Sequence, residues 1–306
     1  MMIECLKEGV SLANKNFQLV FLRIAVTTIC FLSLLVFLGF SIIAAAVYLG
    51  YDISHAEDLL PHLIKNPLEF VPRYIGLVFL MASSFIFYLI FVSMIMLYSL
   101  AGALGVLKNS AVNIRYKFSL PSFFREANSN FYRLLRLVNV ALLVCIALLF
   151  VLIAAGGIIA AAVHGFSGRT PLKVFFSSLV LMSLIIFSAI IFLACIMFMV
   201  YSAVVSVIEG NGVMDSIKKT FNFLKMKPQA FLFYLLLFFM FIALNVLFVI
   251  IEIPFGMIAA APLLTIMLLL VNAVFQNYLA LILWSSLIVY YIKATNHPVY
   301  SATYEI

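Results

Sequence analysis

Charged side chains are scarce in this sequence. Asp, Glu, Lys and Arg make up 9% of its 306 residues, against about a quarter in soluble domains. Hydrophobic residues make up 67%. No water-soluble fold turns that much apolar surface inward, so lipid is the expected solvent. Period-two alternation is also missing, which excludes an outer-membrane β-barrel. The four cysteines, Cys5, Cys30, Cys145 and Cys195, contain no C-x-x-C pair, and three of them lie in apolar runs. That argues against a disulfide framework or thiolate metal site and for small apolar packing residues. No P-loop, dinucleotide glycine fingerprint or H-E-x-x-H pattern occurs. The residues therefore assign no catalytic centre, cofactor or metal, and no nucleic-acid partner is expected.

What is present is a series of long apolar runs. A helix needs roughly 20 apolar residues to cross a bilayer, and a spanning segment must satisfy its own backbone hydrogen bonds. Six transmembrane α-helices are predicted, over residues 24–49, 74–106, 137–163, 174–207, 230–253 and 264–292. The apolar run near Met1 starts too late and runs too long for a signal peptide, so the first span is expected to stay in the membrane.

The connections carry unequal charge. Of the 18 Lys and Arg, all but Lys65, Arg73, Arg169 and Lys173 fall on one side of the predicted spans. Basic connections stay in the cytoplasm, which puts both termini there.

Two motifs recur. Ile42-Ile43-Ala44-Ala45-Ala46-Val47 returns as Ile158-Ile159-Ala160-Ala161-Ala162-Val163, and more loosely as Met257-Ile258-Ala259-Ala260-Ala261-Pro262. Ala13-Asn14-Lys15-Asn16-Phe17 returns as Ala127-Asn128-Ser129-Asn130-Phe131, with nearly the same separation along the chain. Tyr98-Ser99, Tyr201-Ser202 and Trp284-Ser285 are weaker echoes on the second helices. We read an internal repeat of three hairpins, with units 1–107, 118–210 and 211–293, the third diverged by an insertion near Pro254. The alanine triplets are expected to allow close helix crossing. So are the small-residue clusters 99–105 and 154–157.

Each hairpin is expected to follow a short, basic, amphipathic helix, over residues 3–17, 123–136 and 211–229. In the third, Val213, Ile217, Phe221 and Leu224 share one face, with Asn211 as a candidate cap and Asp215 in the first turn. Such helices can lie in the headgroup plane with lysines toward anionic lipid. The candidate anionic-lipid contacts are Arg125, Arg133, Arg136, Lys218, Lys219, Lys225 and Lys227. A plainer reading makes these segments elbows that feed the chain into the next span.

Polar residues inside the spans form a candidate site of Asn245, Glu252, Asn272, Gln276 and Asn277. They could line a solute path or act as hydrogen-bond glue between spans five and six, and glue is the simpler reading. Two other constellations are set aside. His55, Glu57, Asp58 and His62 lack diagnostic metal spacing. His164–Gly168 imitates a hydrolase oxyanion motif without the sheet that motif requires.

The segment VVSVIEGNGVMDSIKKTF, residues 204–221, closes a span with an acidic-glycine turn and opens a basic amphipathic stretch. It resembles the prokaryotic six-span proteins grouped with the glycerophosphoryl diester phosphodiesterase membrane domain. That resemblance implies a bacterial-type cytoplasmic membrane location. Some members carry a separate soluble phosphodiesterase domain, which is not expected here because only a short tail follows Ile292. It transfers no catalytic residues. The function expected is a non-catalytic membrane module that organises lipid or docks an unidentified protein partner. The alternative is a small-solute or lipid transporter using the polar faces of spans five and six.

Overall fold

The computed structural model describes residues 1–48, 75–113, 115–116, 118–165, 171–258 and 262–295. Among them every regular element is an α-helix. In chain order these are α1 (Met2–Lys15), α2 (Gln18–Tyr48), α3 (Ile75–Val112), α4 (Leu120–Gly165), α5 (Pro171–Glu209), α6 (Val213–Met226), α7 (Gln229–Ile258) and α8 (Pro262–Ala294). Six of them, all but α1 and α6, are long and apolar enough to cross a membrane. The protein is an all-α, multi-pass membrane protein. The 55–62 loop, residues 166–168 and Ala259–Ala261 of the third alanine motif lie outside the described residues.

The breaks between helices follow from backbone chemistry. Gly210 adopts φ 68°, a left-handed conformation that ends α5 and suits a residue without Cβ. Pro228 lacks an N–H and disfavours helical geometry in its predecessor; Lys227 accordingly takes φ −126°, ψ 71° and separates α6 from α7. Between α1 and α2 the chain turns at Asn16, with φ −111° and ψ 31°. No such break exists between residues 123–136 and the third span. Asn128, Ser129 and Asn130 stay helical, and the Asn130 side chain donates to the Glu126 carbonyl at 2.9 Å. The second amphipathic segment is therefore the first part of the continuous helix α4, not a separate helix.

The chain forms two compact units, residues 18–100 and residues 1–17 with 101–306, so α3 contributes to both. In the first, α2 and the outer part of α3 make a hairpin. Phe37 packs its ring against Tyr88 and Phe91, and Ser84 donates to the Phe37 carbonyl.

In the second unit, burial concentrates at one end of the long helices. Ala101–Leu107 of α3, Val204–Ile208 of α5 and Leu287–Ile292 of α8 are almost wholly enclosed. Farther along α5 and α8, Phe187 and Leu269 are exposed. A helix apolar all round is buried in protein or bathed in lipid, and these helices do both along their length. Small residues make the packed end possible. A Cβ on Gly102 would fall 2.5 Å from the Phe123 ring, and one on Gly105 would fall 2.6 Å from Glu126 Cβ, so α4 starts flush against the end of α3.

Two other expectations need correction. Gly157 has nothing within 4 Å of its Cβ position and Gly156 meets only the Leu184 side chain at 3.7 Å, so these two glycines make no approach as close as Gly102 and Gly105 do. The alanine motifs do sit at the ends of α2, α4 and α7, but Ile42 and Ile158 are 63% and 71% exposed. Those isoleucines face outward, while most of the alanine side chains lie outside the described residues. Asn211 does not cap α6: Gly212 holds that position, and the Asn211 amide donates to Glu209.

Candidate functional site

The polar residues of α7 and α8 come together in part. The Gln276 amide donates to Asn245 Oδ1, bridging the two helices, while Asn245 Nδ2 returns 2.8 Å to its own Phe241 carbonyl. One turn away Phe248 and Phe275 stack at 4.5 Å and 14°. Asn277 spends its amide on Ala273 of its own helix. Asn272 Oδ1 is buried without a hydrogen bond among the described residues. Glu252 is half-buried farther along α7 and does not join the pair. A bridged amide pair beside stacked rings is a helix fastener, which is what a polar group inside lipid needs.

The basic candidates divide differently. Lys219 pairs with Glu209. Arg125, Arg136, Lys218, Lys225 and Lys227 are exposed, and none forms an ion pair among the described residues. Arg133 is half-buried, its guanidinium 3.3 Å from where a Cβ on Gly210 would lie.

The face that α6 turns to the protein lies beside its apolar stripe. Ser216, Thr220 and Phe223 are buried. Phe221 and Met214 are 61% and 66% exposed, and Val213, Ile217 and Leu224 lie between. Small side chains let α6 approach α5 closely, and Phe223 alone enters the aromatic group of Tyr201, Tyr290 and Tyr291. The remaining apolar flank borders exposed Lys218 and Lys225, as on an interfacial helix.

Glu209 is the residue the sequence reading passed over. It accepts from Tyr291 Oη of α8, from Lys219 of α6 and from Asn211 of the turn. Beside it, Lys108 at the end of α3 donates at 2.9 Å to the Val207 carbonyl, where a cation complements the C-terminus of α5. The available signal was a lone carboxylate ending a long apolar run. Its partners come from elements distant in sequence.

Between α4 and α5 lies a cavity of about 370 Å³. Leu137, Ala141 and Val144 line one wall, Ala194 and Phe198 the other, and Ile217 of α6 closes one end. Its polar lining is Cys195 and Ser202, and the Ser202 hydroxyl already donates to the Phe198 carbonyl.

Compared with known proteins, the chain matches no family model, no curated protein and no solved structure.

Proposed function

We propose that this chain is a non-catalytic module of a prokaryotic cytoplasmic membrane that gathers anionic lipid on its basic side, with both termini cytoplasmic. The supporting observation is α6. It anchors through Ser216, Thr220 and Phe223, and its outer flank exposes Phe221 and Met214 beside Lys218 and Lys225, with Lys227 just beyond its end, none of these lysines ion-paired among the described residues. Apolar side chains beside lysines suit the boundary between acyl chains and anionic headgroups. A lysine there contributes about 1 kcal/mol of attraction. The fastened Asn245–Gln276 pair favours this module over a transport path.

The three-unit repeat belongs to the same proposal. Asn16, Asn130 and Thr220 occupy matching positions in the amphipathic segments that lead into the three hairpins. Each is buried and donates to the carbonyl four residues earlier, at 2.9, 2.9 and 2.8 Å. Ser99, Ser202 and Ser285 of the second helices are likewise buried.

The test is spin-labelled phosphatidylglycerol in phosphatidylcholine vesicles containing the full chain. The wild type should hold the anionic label preferentially at its surface. Lys218→Gln combined with Lys225→Gln and Lys227→Gln should lower that preference several-fold. Unchanged preference would overturn the proposal.

A further inference from the structure

The cavity between α4 and α5 has a length, a lining and a polarity at its end. Along α5 the lining runs from Ile191 to Ser202, about 16 Å at the helical rise and close to one leaflet of a ~30 Å hydrocarbon core. Its volume equals roughly a dozen water-sized groups, enough for most of one acyl chain. The lining is apolar, and its one hydroxyl is spoken for. One end stops at Ile217, next to exposed Lys218. On α4 the lining begins at Leu137; Arg133 lies one turn earlier on the same face and Arg136 is adjacent. None of these three cations is ion-paired among the described residues. No basic residue accompanies the lining at its far end, where Val144 and Ile191 are followed by apolar helix.

We propose that this cavity is a binding site for a single anionic phospholipid. One acyl chain fills the space between α4 and α5, and the phosphate lies at Arg133, with Arg136 and Lys218 around it. A neutral lipid would fill the apolar space and leave the cations unanswered; a soluble anion would answer the cations and leave the cavity empty. An anionic amphiphile satisfies both. The half-buried guanidinium is the selective element, because its planar donors match a phosphate better than a surface ammonium does. The proposal rests on the lipid-binding reading above but concerns a resident lipid, where that reading concerns the shell around the protein.

The test uses the full chain reconstituted in equal parts phosphatidylcholine and phosphatidylglycerol, then extracted in mild detergent, with retained lipid counted by native mass spectrometry. One phosphatidylglycerol per chain is expected. Ala141→Phe with Ala194→Phe fills the cavity and should reduce retention by about tenfold or more, the effect of losing ~1.4 kcal/mol of affinity. Arg133→Gln should keep a lipid and lose the preference for phosphatidylglycerol over phosphatidylcholine. Full retention in the filled variant overturns the site, and an unchanged preference in Arg133→Gln overturns its anionic assignment. On the unmodified chain, phosphatidylglycerol with a photoreactive acyl chain should label residues 137–144 and 191–202; labelling confined to other helices overturns the site even if the filled variant fails to fold. Lys225→Gln with Lys227→Gln should lower the surface preference and keep the retained lipid, so an unchanged surface preference with retention intact removes the surface reading alone.

Discussion

The two short helices α1 and α6 have the same length and the same amphipathic character, yet they are held differently. Helix α1 lies along the last half of α8, running the opposite way. Glu8 pairs with Lys293, Gly9 meets Ser286, and Asn14 accepts from Tyr278. Helix α6 inserts a narrow face of two small residues and one ring, and leaves its apolar flank outside. One amphipathic pattern therefore serves two purposes. In α1 the buried stripe is a protein contact along most of its length. In α6 protein takes one edge of the apolar face, and the edge beyond it stays exposed.

The largest test of that difference sets two phenylalanines of α6 against each other. Phe223 is 6% exposed and its ring lies 5.0 Å from that of Tyr291 and 5.6 Å from that of Tyr201. Phe223→Ala should cost about 3 kcal/mol, the usual price of emptying an aromatic core position. Phe221→Ala, two residues away, should change stability by less than about 0.5 kcal/mol, since it empties no cavity. Denaturant unfolding of the purified chain in detergent measures both. Equal losses would mean that Phe221 is as well packed against protein as Phe223.

The next test separates α1 from α8. A Cβ on Gly9 would fall 2.2 Å from Ser286 Oγ and 2.7 and 2.8 Å from the Ser286 Cα and N. Backbone atoms cannot rotate away, so Gly9→Leu should cost about 2 kcal/mol by overpacking. Cys5 reports the displacement. It is fully buried, and burial pushes its thiol above the ordinary range, against an opposing pull from Lys293. A raised pKa favours the neutral thiol, so its contribution to stability is complete at neutral pH and is lost as pH rises through the raised value. In the wild type, maleimide should modify Cys5 slowly at pH about 7 and faster only in base. In Gly9→Leu it should react at an ordinary rate. Rapid modification of the wild type would show that α1 is not held along α8.

How much of this was legible in the sequence depends on the solvent of each part. The six spans were readable because lipid demands long apolar runs whatever the neighbours. The bridge from Asn245 to Gln276 was readable in kind, because an amide inside a membrane needs a partner. The grouping of Glu252 and Asn277 with them was not, since periodicity places a residue on a face but does not choose its partner. The continuity of α4 was missed because Ala127–Phe131 repeats Ala13–Phe17, yet the chain turns at Asn16 in the first copy and stays helical through Asn130 in the second. The apolar stripe of α6 was legible, but which edge of the helix meets protein was not. Beside lipid, apolar no longer means inside, so Ser216 and Thr220 face the protein and Phe221 does not.

The smallest expected effect tests whether the two short helices and the start of α4 are versions of one element. Asn16, Asn130 and Thr220 each answer a carbonyl one turn back from a buried position. Asn16 also accepts from Ser110 at 3.0 Å, a further bond the other two do not share. Replacing each by alanine leaves one buried carbonyl with its helical bond alone, which should cost about 1 kcal/mol at residues 130 and 220. At residue 16 the loss should be somewhat larger, because Ser110 is orphaned as well. Ser110→Ala in the Asn16→Ala background should recover that excess, since removing both partners is gentler than removing one. With Ser110 accounted for, three matching losses would support a common element at the base of each hairpin. A loss at Asn16 that Ser110→Ala does not reduce, or none at Thr220, would return the likeness to chance and leave α1 and α6 as unrelated solutions to similar sequences.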